Sequence, residues 1–355
     1  MVIDSIPNLG PINSLRFATN PDKFMAAGRQ LGAGRLGAPA WSWTIHTARG
    51  FERCIVVERN DHAKDILGGL SVFLDGEILA PLVGDRAGLL DLPTSVPFGM
   101  PWQVDPSIIA ECIDASIKRH SEVETFDMAV ALHEAAIMVA QAMLGTSSTR
   151  SFFCARRFLR LADTPMLVAP FMRRLFRGRW GQMLEARDAW IGSLAPCSDP
   201  VQTSRRLLVL LGSVDAPVSL ALQAMGIQAG LITPRHKETA CPRQPTSVDL
   251  ALRDPPFPLL LRRLTGRVYL DGIGELAEGQ VVAVDAGFAG LPFGFGRHHC
   301  AGAEPGRVFA ETALEVAAHL DVRVHMQELP RVRRRLAVCV KQMMCTRRRS
   351  WTSLI

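Results

Sequence analysis

Cys300 ends a glycine-rich run, LPFGFGRHHCAGA over residues 291–303, with two histidines directly before it. Three chemistries are open to such a residue: metal ligand, nucleophile, or one more buried thiol. Its surroundings favour the first. Phe293, Gly296, Cys300 and Gly302 fit the pattern FxxGxxxCxG, and His298 stands two residues before the cysteine. Gly294 and Gly296 permit a tight turn that other residues resist, and Gly302 lets backbone come close to a flat group. A helix-like run follows, so unpaired backbone N–H groups stand just beyond Cys300 and favour its thiolate. Pro305 falls in the first turn of that helix, where proline is tolerated. A thiolate held this way suits the iron of a flat cofactor, with His298 placed to hydrogen-bond a cofactor carboxylate.

Other chemical patterns fall short. Gly32, Gly34 and Gly37 spell GxGxxG with Glu58 about twenty residues on, yet a helical segment precedes them and Pro39 follows. A dinucleotide site needs a strand before and a helix after, so a turn is the better reading. His133-Glu134 opens HExxH, but Ile137 holds the second histidine's place, leaving an ordinary helix histidine. There is no GxSxG elbow and no P-loop.

The elements that must position the cysteine follow from periodicity. Residues 21–31 read as a short helix, TIHTARGFERCIVVERN as two strands around Arg49-Gly50, and DHAKDILGGL as a helix with an aspartate cap. From about 105 to 228 the pattern is helical, in segments 107–119, 127–144, 151–161, 170–192 and 203–227. PLLLRRLTGRVYLDG and GQVVAVDAG read as short strands, a helix follows from about 303 to 320, and short strands and a tail close the chain. The expected class is mainly α with small β-sheets (α+β), in one domain over 1–355. Its parts are a β-rich region at about 40–60, a helical core at about 105–228 and the cysteine loop at 291–303.

Bulk properties agree. The 355 residues are 48% apolar and 21% charged, with a net charge of +6, ordinary for a folded chain. Arginine clusters lie around 156–179 and 331–349; with one tyrosine and no nucleic-acid motif, a nucleic-acid partner is not expected. Eight cysteines show no CxxC pair, which reads as reduced thiols in a cytoplasmic protein. The longest apolar stretch, Leu207 to Leu222, contains Asp215 and Pro217 and reads as a core helix, so no membrane span is expected.

FGFGRHHCAGA resembles the haem-binding loop of the cytochrome P450 superfamily, and the resemblance extends at lower quality through most of the chain. It implies the P450 fold and haem b, with Cys300 as iron ligand, Phe293, Gly296 and Gly302 around the haem, and His298 and Arg263 at its propionates. SRRLLVLLGSVDAPVSLALQAM is similar to the helix that crosses above the haem. Gly212-Ser213 match its small pair and Asp215 its acid, whereas Ala216 stands where that family carries a threonine. Pro217 cannot donate to the carbonyl of Ser213, so the helix is expected to open there. An opened turn could hold oxygen or water for Asp215 to serve with protons; a kinked core helix is the plainer alternative.

The chain also departs from the family. It is a few dozen residues shorter than most members, and only AVDAGFAGL stands where a longer meander is usual. The Glu-x-x-Arg pair is broken, with Asp249–Arg253 as a partial substitute at i,i+4. Three functions follow. The first is P450-type monooxygenation of a small molecule of specialised metabolism, fed by a ferredoxin and its reductase docking near Arg297 and Arg307. The second keeps haem but runs peroxide-driven or redox-neutral chemistry: dehydration, rearrangement or N-transfer. The third is a non-catalytic P450-like partner or haem sensor.

Overall fold

In a computed structural model the described residues are 6, 8–9, 20–33, 40–47, 49–69, 71–73, 104–146, 148–162, 176–194, 200–234, 245–296, 299–325, 331–334 and 337–347. Helix α1 (Pro21–Ala33) precedes the hairpin β1 (Ala40–Thr47) and β2 (Gly50–Val57); then come α2 (Asn60–Gly68) and β3 (Ser71–Phe73). The helical part comprises α3 (Pro106–His120), β4 (Thr125–Asp127), α4 (Met128–Met143), α5 (Thr149–Ala162), α6 (Arg177–Ile191) and α7 (Pro200–Gln228). After the short α8 (Ser247–Ala251) come β5 (Leu259–Leu264), β6 (Val268–Leu270), β7 (Gly274–Leu276) and β8 (Val281–Asp285). Helix α9 (Ala303–His319) and strands β9 (Val322–Val324), β10 (Arg331–Arg334), β11 (Ala337–Val340) and β12 (Met344–Arg347) complete it. The mixed, mainly helical class read from sequence is the class found.

Five strands form the main sheet in the order β1-β2-β8-β5-β3, in which β2 and β8 run parallel and the other neighbours antiparallel. Strand alternation separates its two faces. One carries Ile55, Val57, Leu264, Val282 and Val284 and packs on α2 with Ala289 and Leu291. The other carries Cys54, Val56, Leu261, Val281 and Ala283 and packs on Phe24 and Met25 of α1 with Trp41 and Trp43. Phe24 meets both tryptophans edge-on, with ring centroids 5.5 Å away in each case. Such edge contacts add about 0.5–1.5 kcal/mol beyond area burial.

The larger core is helical. Ile109, Ile113 and Ile117 of α3, alanines of α4, Leu210, Val214 and Val218 of α7, and Phe309, Ala310 and Ala313 of α9 share one cluster. Helices α7 and α9 are neighbours here: a Cβ added to Gly306 of α9 would lie 3.8 Å from Pro217 of α7, an ordinary contact distance.

Two expectations need correction. Helix α2 starts without a side-chain cap, Arg59 holding the cap position and Asp61 lying in the first turn. Helix α7 does not open at Pro217 but runs through it from Pro200 to Gln228. Its span otherwise agrees with the expected segment 203–227: Val209–Gln228 has the length and apolarity of a membrane crossing, yet 67% of it is buried within the fold. The turn of Gly34 and Gly37, residues 170–175 of the expected helical segment 170–192 and the C-terminal tail lie outside the described residues. Glu58, the would-be ribose ligand, accepts the indole N–H of Trp41 at 2.9 Å inside the sheet.

Candidate functional site

The cysteine loop is built as its glycines require. Gly294 and Gly296 have φ of +77° and +64°, the left-handed region that glycine enters without penalty. A Cβ on Gly296 would also stand 3.2 Å from the Cα of Gly68, so this glycine lets the loop lie on the end of α2. The Cys300 N–H donates to the Phe293 carbonyl at 2.8 Å, closing the loop. Phe293 itself packs against the helical core. Gly302 caps α9 and has ordinary negative φ, so conformation does not demand a glycine there. Its lack of a side chain leaves the flank of the thiol open: a Cβ would sit 3.8 Å from the Cys300 sulfur, an ordinary contact distance.

Cys300 is exposed, whereas the other five cysteines among the described residues are buried or half-buried. Protein atoms nevertheless crowd its sulfur: desolvation pushes the thiol above its ordinary range, against the opposing Gly302 N–H. Accessibility and crowding are compatible when a residue opens into a recess and not onto the outer surface. On the buried helix α7, Gly212 is likewise exposed and Ser213 and Ala216 half-exposed, on one side of a helix that is otherwise covered from Val214 to Met225. A Cβ on Gly212 would meet nothing within 4 Å. Contact of Gly306 with Pro217 places the start of α9 beside this part of α7.

These residues fit a haem. A recessed thiol, a glycine keeping one side of it clear and a helix N-terminus behind it suit a soft thiolate ligand for iron. Coordination deprotonates a thiol outright, so the raised pKa is no obstacle. Among the described residues no three His, Cys, Asp or Glu side chains gather as a metal cluster. A single thiolate therefore suits an iron that brings its own ring of donors.

Helix α7 holds its proline in place from outside. Ser213 donates its hydroxyl to the Val209 carbonyl at 2.5 Å, Ser219 to Val338 at 2.5 Å, and the Cys339 thiol lies 3.8 Å from the Asp215 carbonyl. Strand β11 thus clamps the turn around Pro217. Asp215 is 2% exposed, and its carboxylate lies 3.4 Å from Nε2 of His133 on α4. Sequence took His133 for an ordinary helix histidine; only the packing of α4 on α7 reveals the pair.

Arg263 is placed otherwise than expected. It lies on the α1 face of the sheet, where its two terminal nitrogens bind the carboxylate of Glu52 at 2.8 and 2.9 Å and the Gly279 carbonyl accepts at 3.0 Å. The neighbouring Arg262 pairs with Val282 across the strands. Arg262 therefore lies on the face shared with α2 and Leu291, and it is 1% exposed. A pattern of alternating strand residues could have raised it; the run Arg262-Arg263 hid which member faced which way. Asp249 does not pair with Arg253. It forms a capping box with Thr246 and binds Arg307 of α9 at 2.5 Å, so Arg307, expected to dock an electron donor, serves a contact within the fold. His298 and Arg297 lie outside the described residues.

No family model matches the chain, and no curated protein matches it. Solved structures do. The haem domain of a cytochrome P450DA variant superposes with a TM-score of 0.70 at 13% identity, covering 97% of each chain. A cytochrome P450 of Streptomyces coelicolor gives 0.65 at 15% identity, over 96% of this chain and 100% of that one. P450BioI, solved in complex with an acyl carrier protein bearing hexadec-9Z-enoic acid, gives 0.64 at 12% identity, over 94% and 100%.

Proposed function

The chain has the cytochrome P450 fold, and from that premise we propose a haem-thiolate oxidoreductase that carries out P450-type monooxygenation of a small molecule of specialised metabolism. The observation that carries this is the recessed, accessible Cys300 in its glycine-shaped loop. Haem b, when bound, supplies iron that activates oxygen for insertion into a substrate bond. Cys300 would hold the iron, and Gly302 keeps the space beside the sulfur clear. Phe293 and Gly296 fix the loop, Phe293 against the helical core and Gly296 against α2. On the other side, Gly212, Ser213 and Ala216 offer a small-residue wall for a substrate, with Asp215 at its flank as proton carrier. His298 would serve a haem carboxylate, and a ferredoxin with its reductase would supply electrons.

For the second haem carboxylate we assign Arg262 in place of Arg263, because Arg262 lies on the sheet face that meets the cysteine loop. Arg262→Met should speed haem loss to an acceptor globin about tenfold, as expected for a lost charge-assisted hydrogen bond. Arg263→Met should leave haem loss unchanged and lower stability instead. Equal haem loss in the two variants would remove this assignment.

Ala216 favours a second reading. Its methyl can neither give nor take a proton, and peroxide-driven or redox-neutral chemistry asks less of that position. The test is the absorption spectrum of haem-loaded, dithionite-reduced protein with carbon monoxide, followed by turnover with and without a ferredoxin–reductase pair. A red-shifted Soret band with reductase-dependent turnover supports the monooxygenase; the same band without that dependence supports the second reading. An ordinary haem-protein band, or no haem uptake, overturns both and leaves a non-catalytic partner.

A further inference from the structure

Asp215 is buried at the edge of the half-exposed wall of α7, and the residue beside it, Ala216, has no hydroxyl. Its carboxylate instead faces backward, to Nε2 of His133 at 3.4 Å. The other ring nitrogen of His133, Nδ1, lies 2.6 Å from the Ala129 carbonyl. A carbonyl oxygen only accepts, so Nδ1 carries a hydrogen and Nε2 is the atom left to deal with Asp215. A bare Nε2 would turn its lone pair on a buried carboxylate, whereas a protonated one makes a charge-assisted pair. His133 keeps 15% of its side chain accessible against 2% for Asp215, so water can touch the ring where it does not touch the acid. The adjacent Glu134 does not compete for it: Arg119 and His120 of α3 and Arg156 of α5 bind that carboxylate at 2.9, 3.0 and 2.9 Å.

We propose that His133 is the positioning residue through which Asp215 is supplied with protons, so that the route from solvent to the α7 wall runs through α4. This rests on the reading of Asp215 as proton carrier. The Asp215 carboxylate takes the proton from Nε2 and passes one on from a carboxyl oxygen to a group at the wall, and the ring regains its proton from water. Nδ1 keeps its hydrogen on Ala129 throughout. One proton enters for each that leaves, and no electron moves. The route stands in for the side-chain hydroxyl that Ala216 lacks.

The test uses haem-loaded protein and has two readouts. In the reduced, carbon monoxide-bound and therefore diamagnetic state, the ring signals of His133 are identified by nitrogen NMR from their loss in His133→Gln. Asp215→Asn should shift those signals and speed solvent exchange of the Nε2 hydrogen; unchanged signals overturn the proposal, and where His133→Gln fails to fold, His133→Asn supplies the identification. The second readout is hydrogen-peroxide-driven oxidation of an aromatic dye. His133→Gln and Asp215→Asn should each lower kcat about tenfold, a modest general acid–base contribution, while KM for peroxide moves less than about twofold. The double variant should be no slower than Asp215→Asn alone, because one residue acts through the other. Losses that multiply, or a loss with Asp215→Asn but none with His133→Gln, overturn the inference and leave the reading of Asp215 standing. No loss with Asp215→Asn overturns that reading and this inference together.

Discussion

Cys300→Ser is expected to abolish the red-shifted carbon monoxide band of the haem-loaded protein and to lower turnover by about 100-fold or more, ~2.7 kcal/mol of barrier. Serine preserves size and can still accept the Gly302 N–H, so the loop keeps its shape. What it removes is electron donation from sulfur to iron, which is the property that sets thiolate-bound haem apart. Because Cys300 is accessible and serine keeps both its size and its acceptor for the Gly302 N–H, unfolding of the haem-free variant should shift by no more than about 0.5 kcal/mol. The contrast between an altered spectrum and an unaltered melt is the decisive outcome. A variant that keeps the red-shifted band would show that another residue holds the iron. One that loses stability in equal measure would make Cys300 part of the framework instead.

The cysteine loop was legible because its constraints are local. Positive φ at Gly294 and Gly296, the clear space by Gly302 and the proline in the first turn of α9 each follow from one residue type at one place. Helices α3, α4, α5 and α9 were legible for a similar reason, since an apolar stripe repeats within a single segment. What escaped depends on which segments meet. Whether Arg262 or Arg263 faces the loop is decided by the register of β5 on β8. Whether His133 has a partner is decided by the packing of α4 on α7. Asp249 could bond within α8 or across to α9, and Arg307 settles the matter from 58 residues away. Continuity of α7 through Pro217 likewise comes from β11 holding the turn, a contact over more than 100 residues.

The short link between β8 and the cysteine loop posed the sharpest sequence problem, and its solution carries the last prediction. Asp285 ends β8 with a side chain entirely inaccessible, and both Nε and Nη2 of Arg29 on α1 bind it, at 2.9 and 2.7 Å. The Phe288 N–H donates to its other oxygen at 3.2 Å, and Arg29 lies 4.3 Å over the Phe288 ring. Gly287 passes so close to the Arg253 carbonyl that a Cβ would stand 2.4 Å from it. A tight turn pinned by one buried ion pair thus launches the chain toward Cys300 without a longer meander.

Arg29→Ala leaves that carboxylate buried with its cation gone, a change that costs about 3–5 kcal/mol. Desolvation already raises the Asp285 pKa, and Arg29 is the largest influence opposing it; without Arg29 it rises further. A carboxyl whose folded pKa lies above its unfolded value holds its proton more tightly when folded. Stability therefore falls as pH rises from the unfolded value to the folded one and is level above it. In the variant this window extends to higher pH, so its deficit against the parent should be smallest in acid, where both are protonated, and largest at neutral pH and above. Asp285→Asn added to Arg29→Ala removes the stranded charge while keeping an acceptor for the Phe288 N–H. It should recover most of the neutral-pH loss and flatten the pH dependence. Urea unfolding of the full chain between about pH 4 and 8, read as midpoints at constant slope, distinguishes the outcomes. A deficit independent of pH, or one that the second substitution deepens, would mean that the pair is not what pins the turn.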